Sequence, residues 1–247
     1  MKHLPPAASV TPWLYWSIFP VHRAFLKLYF GQIVIKGLEY LPESGSVVLA
    51  PKHFSRWDPL VLALLSTEPL QFMTNANQFE GFQCWLIQRL GAFPVDLNHP
   101  KVSSFRCAIE LLQAGKKLVM FPEGGIVRNQ PLRSLKTGLA RLVLQAEALT
   151  PEALAIPIVP IALRYDPGAY QGARIFIHIS PPLYAQEYRQ ENDKQTDLAL
   201  ISSPVASLVY SGKGDRYLSI DSSRPPVKAG KTTNQVTLLQ QSSTALT

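Results

Sequence analysis

The 247-residue chain predicts an α/β fold: a single domain with a central, mostly buried mixed sheet flanked by helices, preceded by an N-terminal amphipathic helical segment. Three observations carry this expectation. Short apolar runs alternate with longer stretches of helical periodicity through the middle of the chain. The short runs lack the polar alternation of a sheet with one wet face, so both faces are covered. A hydrophobic content of 47% over this length suffices for one sizeable core.

The first element is "PWLYWSIFPVHRAFLKLYFG", residues 12–31, with two Trp, two Tyr and three Phe. Pro20, His22, Arg23 and Lys27 interrupt it, whereas a membrane span needs about 20 nearly unbroken apolar residues. No small-x-small cleavage site follows, so it is not a clear signal peptide either. Val21, Ala24, Phe25 and Leu28 fall at i, i+3, i+4, i+7, with His22, Arg23 and Lys27 largely off that stripe. Such a stripe ordinarily packs on a core. Aromatic density and the absence of acids instead predict residues 1–32 as a membrane-binding segment.

Strand-like runs then follow at 33–37, 46–50, 70–74, 92–95, 117–121, 156–163 and 173–179. Helix-like stretches lie between several of them, at 59–66, 79–90, 101–115 and 134–149. Pro157 and Pro160 in "IPIVPIAL" remove ladder donors, which predicts an edge or bent strand. The folded domain is placed at 33–200. Residues 201–247 include a Ser/Thr/Gln/Pro/Lys-rich stretch and are expected to form a disordered tail.

The net charge of +7 is confined to the two ends. Residues 1–36 carry Lys2, Arg23, Lys27 and Lys36 and no acid; residues 201–247 carry five cations against Asp215 and Asp221; residues 37–200 are neutral. A nucleic-acid reader carries its basicity across a folded face, so no nucleic-acid partner is expected. A basic, aromatic N-terminus fits an anionic lipid surface, hence a peripheral protein on the cytoplasmic face of a membrane. Two cysteines, Cys84 and Cys107, form no CxxC, and five scattered histidines form no metal pattern. No cofactor is expected.

The chemistry concentrates in two stretches. In "KHFSRWDPL", 52–60, His53 lies just past a strand's carboxyl end, where α/β sheets place ligand crevices. Asp58 before Pro59 reads as a helix N-cap with proline at the first helical position. On a continuous helix the five-residue spacing would keep the two side chains apart, but in a turn they meet. A carboxylate on one imidazole nitrogen leaves the other as a base. Capping and orienting are compatible roles for Asp58. In "LVMFPEGGIVRNQ", 118–130, a strand runs into Glu123, Gly124 and Gly125, with Arg128 beyond and Lys136 in "LKTG". Glycines let backbone N–H groups approach an anion; the plain alternative is a strand-to-helix turn with a solvated Glu. There is no GxxxxGK[ST] and no G-x-S-x-G. A base without an evident nucleophile favours direct activation of a substrate hydroxyl.

Taken in order, these pieces resemble the glycerolipid acyltransferase family, whose best-known members are 1-acylglycerol-3-phosphate acyltransferases. H-x4-D is matched by His53 and Asp58, a second block by "GAFPVDLN" (91–98), F-P-E-G by Phe121 to Gly124, and the proline-rich strand by "IPIVPIAL". The resemblance implies acyl transfer from a thioester, carried by coenzyme A or acyl carrier protein, to the sn-2 hydroxyl of lysophosphatidate, giving phosphatidate. His53 would be the base and Asp58 its orienting carboxylate. Glu123, Gly124, Gly125, Arg128, Lys136 and Arg106 would bind substrate, and Gly138 matches a family Lys-x-Gly. The chain departs from the family at Leu97, Asn98, Asn75 and Asn77, and in Ile126 and Val127 preceding Arg128. Two cations are thereby missing or moved, leaving Arg128, Arg106 and Lys101 to compensate, or a less anionic acceptor. The competing readings are another acceptor, a lysophospholipid or glycerol-3-phosphate, and a non-catalytic membrane-surface protein.

Overall fold

The computed structural model describes residues 10–96, 102–127, 138–149 and 155–188, all within the unit Met1–Lys213. The expected tail, 201–247, lies outside the described residues. Strand β2, Val47–Pro51, is buried at every position and sits in the middle of the sheet. It pairs in parallel with β5, Lys117–Val119, on one side and with β6, Pro157–Asp166, on the other. Beyond β5 lie β3, Gln71–Asn75, and β4, Ala92–Val95, also parallel. Beyond β6, β7, Arg174–Ile179, runs antiparallel, and β1, Gln32–Lys36, follows parallel to β7. The two-residue β8, Leu183–Tyr184, pairs with the start of β6 and was not expected. The order β1-β7-β6-β2-β5-β3-β4 is a mixed sheet.

Helices cover both faces, following the two-residue period of the strands. Val48, Ala50, Leu118 and Ile158 pack toward α4, Val102–Gln113, and α5, Gly138–Ala148, through Ala108, Leu112, Leu142 and Val143. Val47, Leu49, Val119, Val159 and Ile161 pack toward α1, Pro12–Tyr29, and α2, Asp58–Leu62, through Leu26, Phe30, Val61 and Leu62. Helix α3, Gly81–Arg89, has no buried residue.

Two expectations change. β6 is central, not an edge, despite its prolines. Pro157 is its first residue, where no ladder donor is lost. The Pro160 carbonyl accepts from Ser180 N–H (3.0 Å). A strand residue's N–H and C=O point to the same side, so the missing donor of Pro160 falls where the chain crosses from β7 to β8. The second change concerns α1. Its protein-facing side is Tyr15, Leu26 and, just past the helix end, Phe30, all buried. The stripe read from sequence, Val21, Ala24, Phe25 and Leu28, faces solvent. The helix therefore has two apolar sides, one of them docked in the core.

Candidate active site

Because β6, β2 and β5 are neighbours and parallel, their carboxyl ends lie side by side. This is the place where α/β sheets assemble ligand sites. The chain leaves β2 through Lys52 and His53, leaves β5 through Phe121 to Glu123, and ends β6 at Tyr165 and Asp166. Three segments distant in sequence thus deliver polar groups to one spot.

His53 Nδ1 lies 2.8 Å from Asp58 Oδ2. The same oxygen accepts the backbone N–H groups of Phe54 (2.6 Å) and Ser55 (2.8 Å). Asp58 Oδ1 accepts the Tyr165 hydroxyl at 2.8 Å. The carboxylate is wholly buried, and four donors offset its desolvation. It does not cap α2: Asp58 is the first helical residue, Trp57 occupies the cap position, and no side chain caps the helix end. The expected N-cap is thus corrected, because the carboxylate turns back over residues 53–55 and fixes the loop that carries the imidazole. With Nδ1 held by Asp58, Nε2 is left as the base-capable nitrogen.

The loop after β5 completes the seat of His53. The Phe121 ring stacks on the imidazole, centroids 4.0 Å apart and planes 23° from parallel. Val127 N–H donates to the His53 carbonyl (2.9 Å). Glu123 is fully buried; Oε1 pairs with Lys52 Nζ and Oε2 accepts the His53 N–H, both at 3.3 Å. Glu123, expected to hold the glycerol-phosphate end, is therefore turned onto the histidine's own backbone. Gly124, at φ +68°, takes the left-handed conformation that favours glycine. Its N–H is engaged by the Phe121 carbonyl (3.0 Å).

His53 stands in the lining of a cleft of about 1320 Å³, larger than the roughly 300–1,000 Å³ of ordinary small-molecule sites. Its walls are mainly apolar, with Ile18 and Phe19 from α1, Leu60 from α2, Ile87 from α3, and Phe105 and Met120. Gly124 and Gly125 line it too. Arg106 does not: it is exposed on α4, and the residue that helix turns into the cleft is its neighbour Phe105. Instead, exposed Arg56 and Arg141 stand among the described lining residues. Arg128, Lys136, Leu97, Asn98 and Lys101 lie outside the described residues.

Sequence reasoning found His53 and Asp58 because they share one turn. It missed Tyr165, whose only signal is a polar aromatic two residues past the expected strand end. Tyr165 stacks on Phe54 (centroids 5.6 Å). Burial, then the negative charge of Asp58 and the hydrogen bond to it, push the Tyr165 hydroxyl pKa well above its ordinary value.

The site is thus an α/β domain's histidine, held by a buried carboxylate at the edge of a mainly apolar cleft. The chain matches the Acyltransferase family over residues 32–164, and it belongs to that family. It is 27% identical over 162 residues to a 1-acyl-sn-glycerol-3-phosphate acyltransferase of Streptococcus pneumoniae, covering 62% of this chain and 55% of that protein. A Bacillus subtilis protein of the same name is 26% identical over 176 residues, covering 67% and 80%. The chain thus spans little more than half the length of the pneumococcal relative. The crystal structure of the LPA acyltransferase PlsC from Thermotoga maritima shares the fold, with a TM-score of 0.59 over 83% of each chain at 19% identity.

Proposed function

We propose that the chain transfers a fatty acyl group from a thioester to the free sn-2 hydroxyl of 1-acylglycerol-3-phosphate, forming phosphatidate. The observation that carries this reading is the His53–Asp58 pair, at 2.8 Å, set in the apolar cleft. In this scheme His53 Nε2 takes the hydroxyl proton as the oxygen attacks the thioester carbonyl. The C–S bond then breaks, and the proton passes to the departing thiolate. Asp58 stabilises the imidazolium that forms between those steps. The donor is acyl-CoA or acyl carrier protein. The names of the relatives support the acceptor.

Arg56 and Arg141 are assigned to the acceptor phosphate, since a guanidinium suits that geometry. Arg128 and Lys136 join them on the family resemblance, with Gly124 and Gly125 forming the adjacent wall. Residues 1–32 bind the membrane peripherally. Trp13, Trp16, Val21, Phe25 and Leu28 are exposed on α1, and no helix among the described residues is long and apolar enough to cross a bilayer.

The test is a panel. Purified protein receives labelled acyl thioester with lysophosphatidate, neutral and zwitterionic lysophospholipids, or glycerol-3-phosphate. Transfer to lysophosphatidate above the others is expected. Preference for a phosphate-free acceptor would overturn the assignment, and transfer to none would overturn the enzyme reading.

A further inference from the structure

Helix α3 carries Phe82, Cys84, Trp85, Leu86 and Ile87 in nine residues, yet none of its residues is buried. Helices this short are marginal in water and normally gain their stability by burying an apolar face. Phe82 is 74% exposed and Trp85 40%, and their rings stack at 5.4 Å. The Arg89 guanidinium lies 4.5 Å from the Trp85 ring centroid and donates to the Trp85 carbonyl. This is an aromatic pair with its cation placed at the helix's far end. On its other side α3 walls the cleft with Gln83 and Ile87.

The same division holds on α1. Ile18, Phe19 and His22 line the cleft, while Trp13 and Trp16 stand in solvent. The two helices are joined where α1 begins: Thr11 N–H donates to the Arg89 carbonyl at 2.9 Å. Within 12–29 and 81–89 the charged residues are Arg23, Lys27 and Arg89, with no acid. Glu80, at the opposite end of α3 from Arg89, is the acid that borders them.

We propose that α3 is a second lipid-inserting element, and that α1 and α3 together seat the cleft on an anionic bilayer so that acyl chains enter it from the lipid. This rests on the reading of α1 as lipid-facing. Tyr/Trp/Phe faces with cations at their margins suit the headgroup boundary, and a bilayer supplies the burial that α3 lacks within the protein. The complementarity of an acid-free basic face favours lipid with anionic headgroups over a second copy of the same basic surface.

The test uses the full chain and vesicles of equimolar phosphatidylcholine and phosphatidylglycerol. Phe82→Ser with Trp85→Ser should weaken partition onto the vesicles by about tenfold or more, given the apolar area removed. Both side chains are exposed, so thermal unfolding of the soluble protein should barely move. Vesicles should slow amide hydrogen exchange in 81–90 and leave 102–113 unchanged. Loss of binding by Trp13→Ser with Trp16→Ser, alongside full binding by the α3 variant and unchanged exchange in 81–90, would overturn this proposal while preserving the reading of α1. A wild-type chain that ignores vesicles would overturn both. A concentration-dependent dimer that the α3 variant dissolves without any change in partition would overturn the proposal for α3 alone.

Discussion

At the scale of single residues, the account turns on how Asp58 is saturated. Three donors meet Oδ2, and the Tyr165 hydroxyl meets Oδ1. Asp58→Asn removes the charge and replaces one acceptor by an NH₂, which faces backbone N–H donors in one orientation and forces the Tyr165 hydroxyl to accept in the other. It should cost roughly 1–3 kcal/mol of stability in chemical unfolding and lower kcat by about 10²–10⁴-fold. A variant as stable and active as the wild type would contradict the geometry. Tyr165→Phe removes the hydroxyl that donates to Oδ1 without altering shape. It should lower kcat about 5- to 30-fold with KM for both substrates unchanged, since roughly 1–2 kcal/mol of anchoring is lost; equal kcat per folded molecule would make Tyr165 merely structural. The raised Tyr165 pKa has a further consequence. The folded protein holds this proton more tightly than the unfolded chain, so stability is full below pH 10.0, the unfolded value, and falls as pH rises above it. Tyr165→Phe should remove that part of the alkaline slope in unfolding measured from pH 9 upward. At this scale the sequence was legible only where partners are near neighbours. His53 and Asp58 share a turn, whereas Tyr165 is 107 positions from Asp58 and Glu123 is 71 from Lys52, distances that only strand order closes.

At the scale of elements, α1 is the instructive case. Its aromatic composition and basic residues were plain, but the periodicity fitted two faces, and the core took the one that includes Leu26. That side chain has no exposed surface, so Leu26→Ala should cost about 2–5 kcal/mol in denaturant unfolding. Leu28→Ala, 84% exposed, should change stability by less than about 0.5 kcal/mol. His22 adds a pH response. Burial lowers its pKa, against the smaller opposing effect of a hydrogen bond to the Leu60 backbone. The folded state therefore favours the neutral ring, and its contribution is present above pH 6.5 and lost as pH falls below that value. His22→Gln should flatten the acid side of the stability profile between pH 7 and 5; an unchanged slope would show that His22 titrates alike in the folded and unfolded states. The central position of β6 was hidden for a different reason. Proline content reports missing donors, not where they point, and the Pro160 gap falls opposite a strand crossing.

At the scale of the whole molecule, the class of fold was readable because buried parallel strands and flanking helices leave their mark in local pattern. Strand order was not, and the site depends on it. The β6-β2-β5 neighbourhood brings Tyr165, His53 and Glu123 to one end of the sheet. The cleft draws its walls from α1 to α5 and from the β3 and β4 strands, so no window of sequence contains it. Arg56 and Arg141, which line the cleft, were overlooked for the same reason. Arg56→Ala with Arg141→Ala should raise KM for lysophosphatidate at least tenfold, about 1.4 kcal/mol or more of lost phosphate contact, with a smaller effect on the acyl donor. The central claim is that the histidine after β2 is the base of an acyl transfer to a lipid hydroxyl. The direct measurement is formation of labelled phosphatidate from labelled acyl thioester and lysophosphatidate by the wild type and by His53→Ala. The account predicts steady product from the first and none above background from the second, with the variant folded and still bound to vesicles. Equal product from both would contradict it.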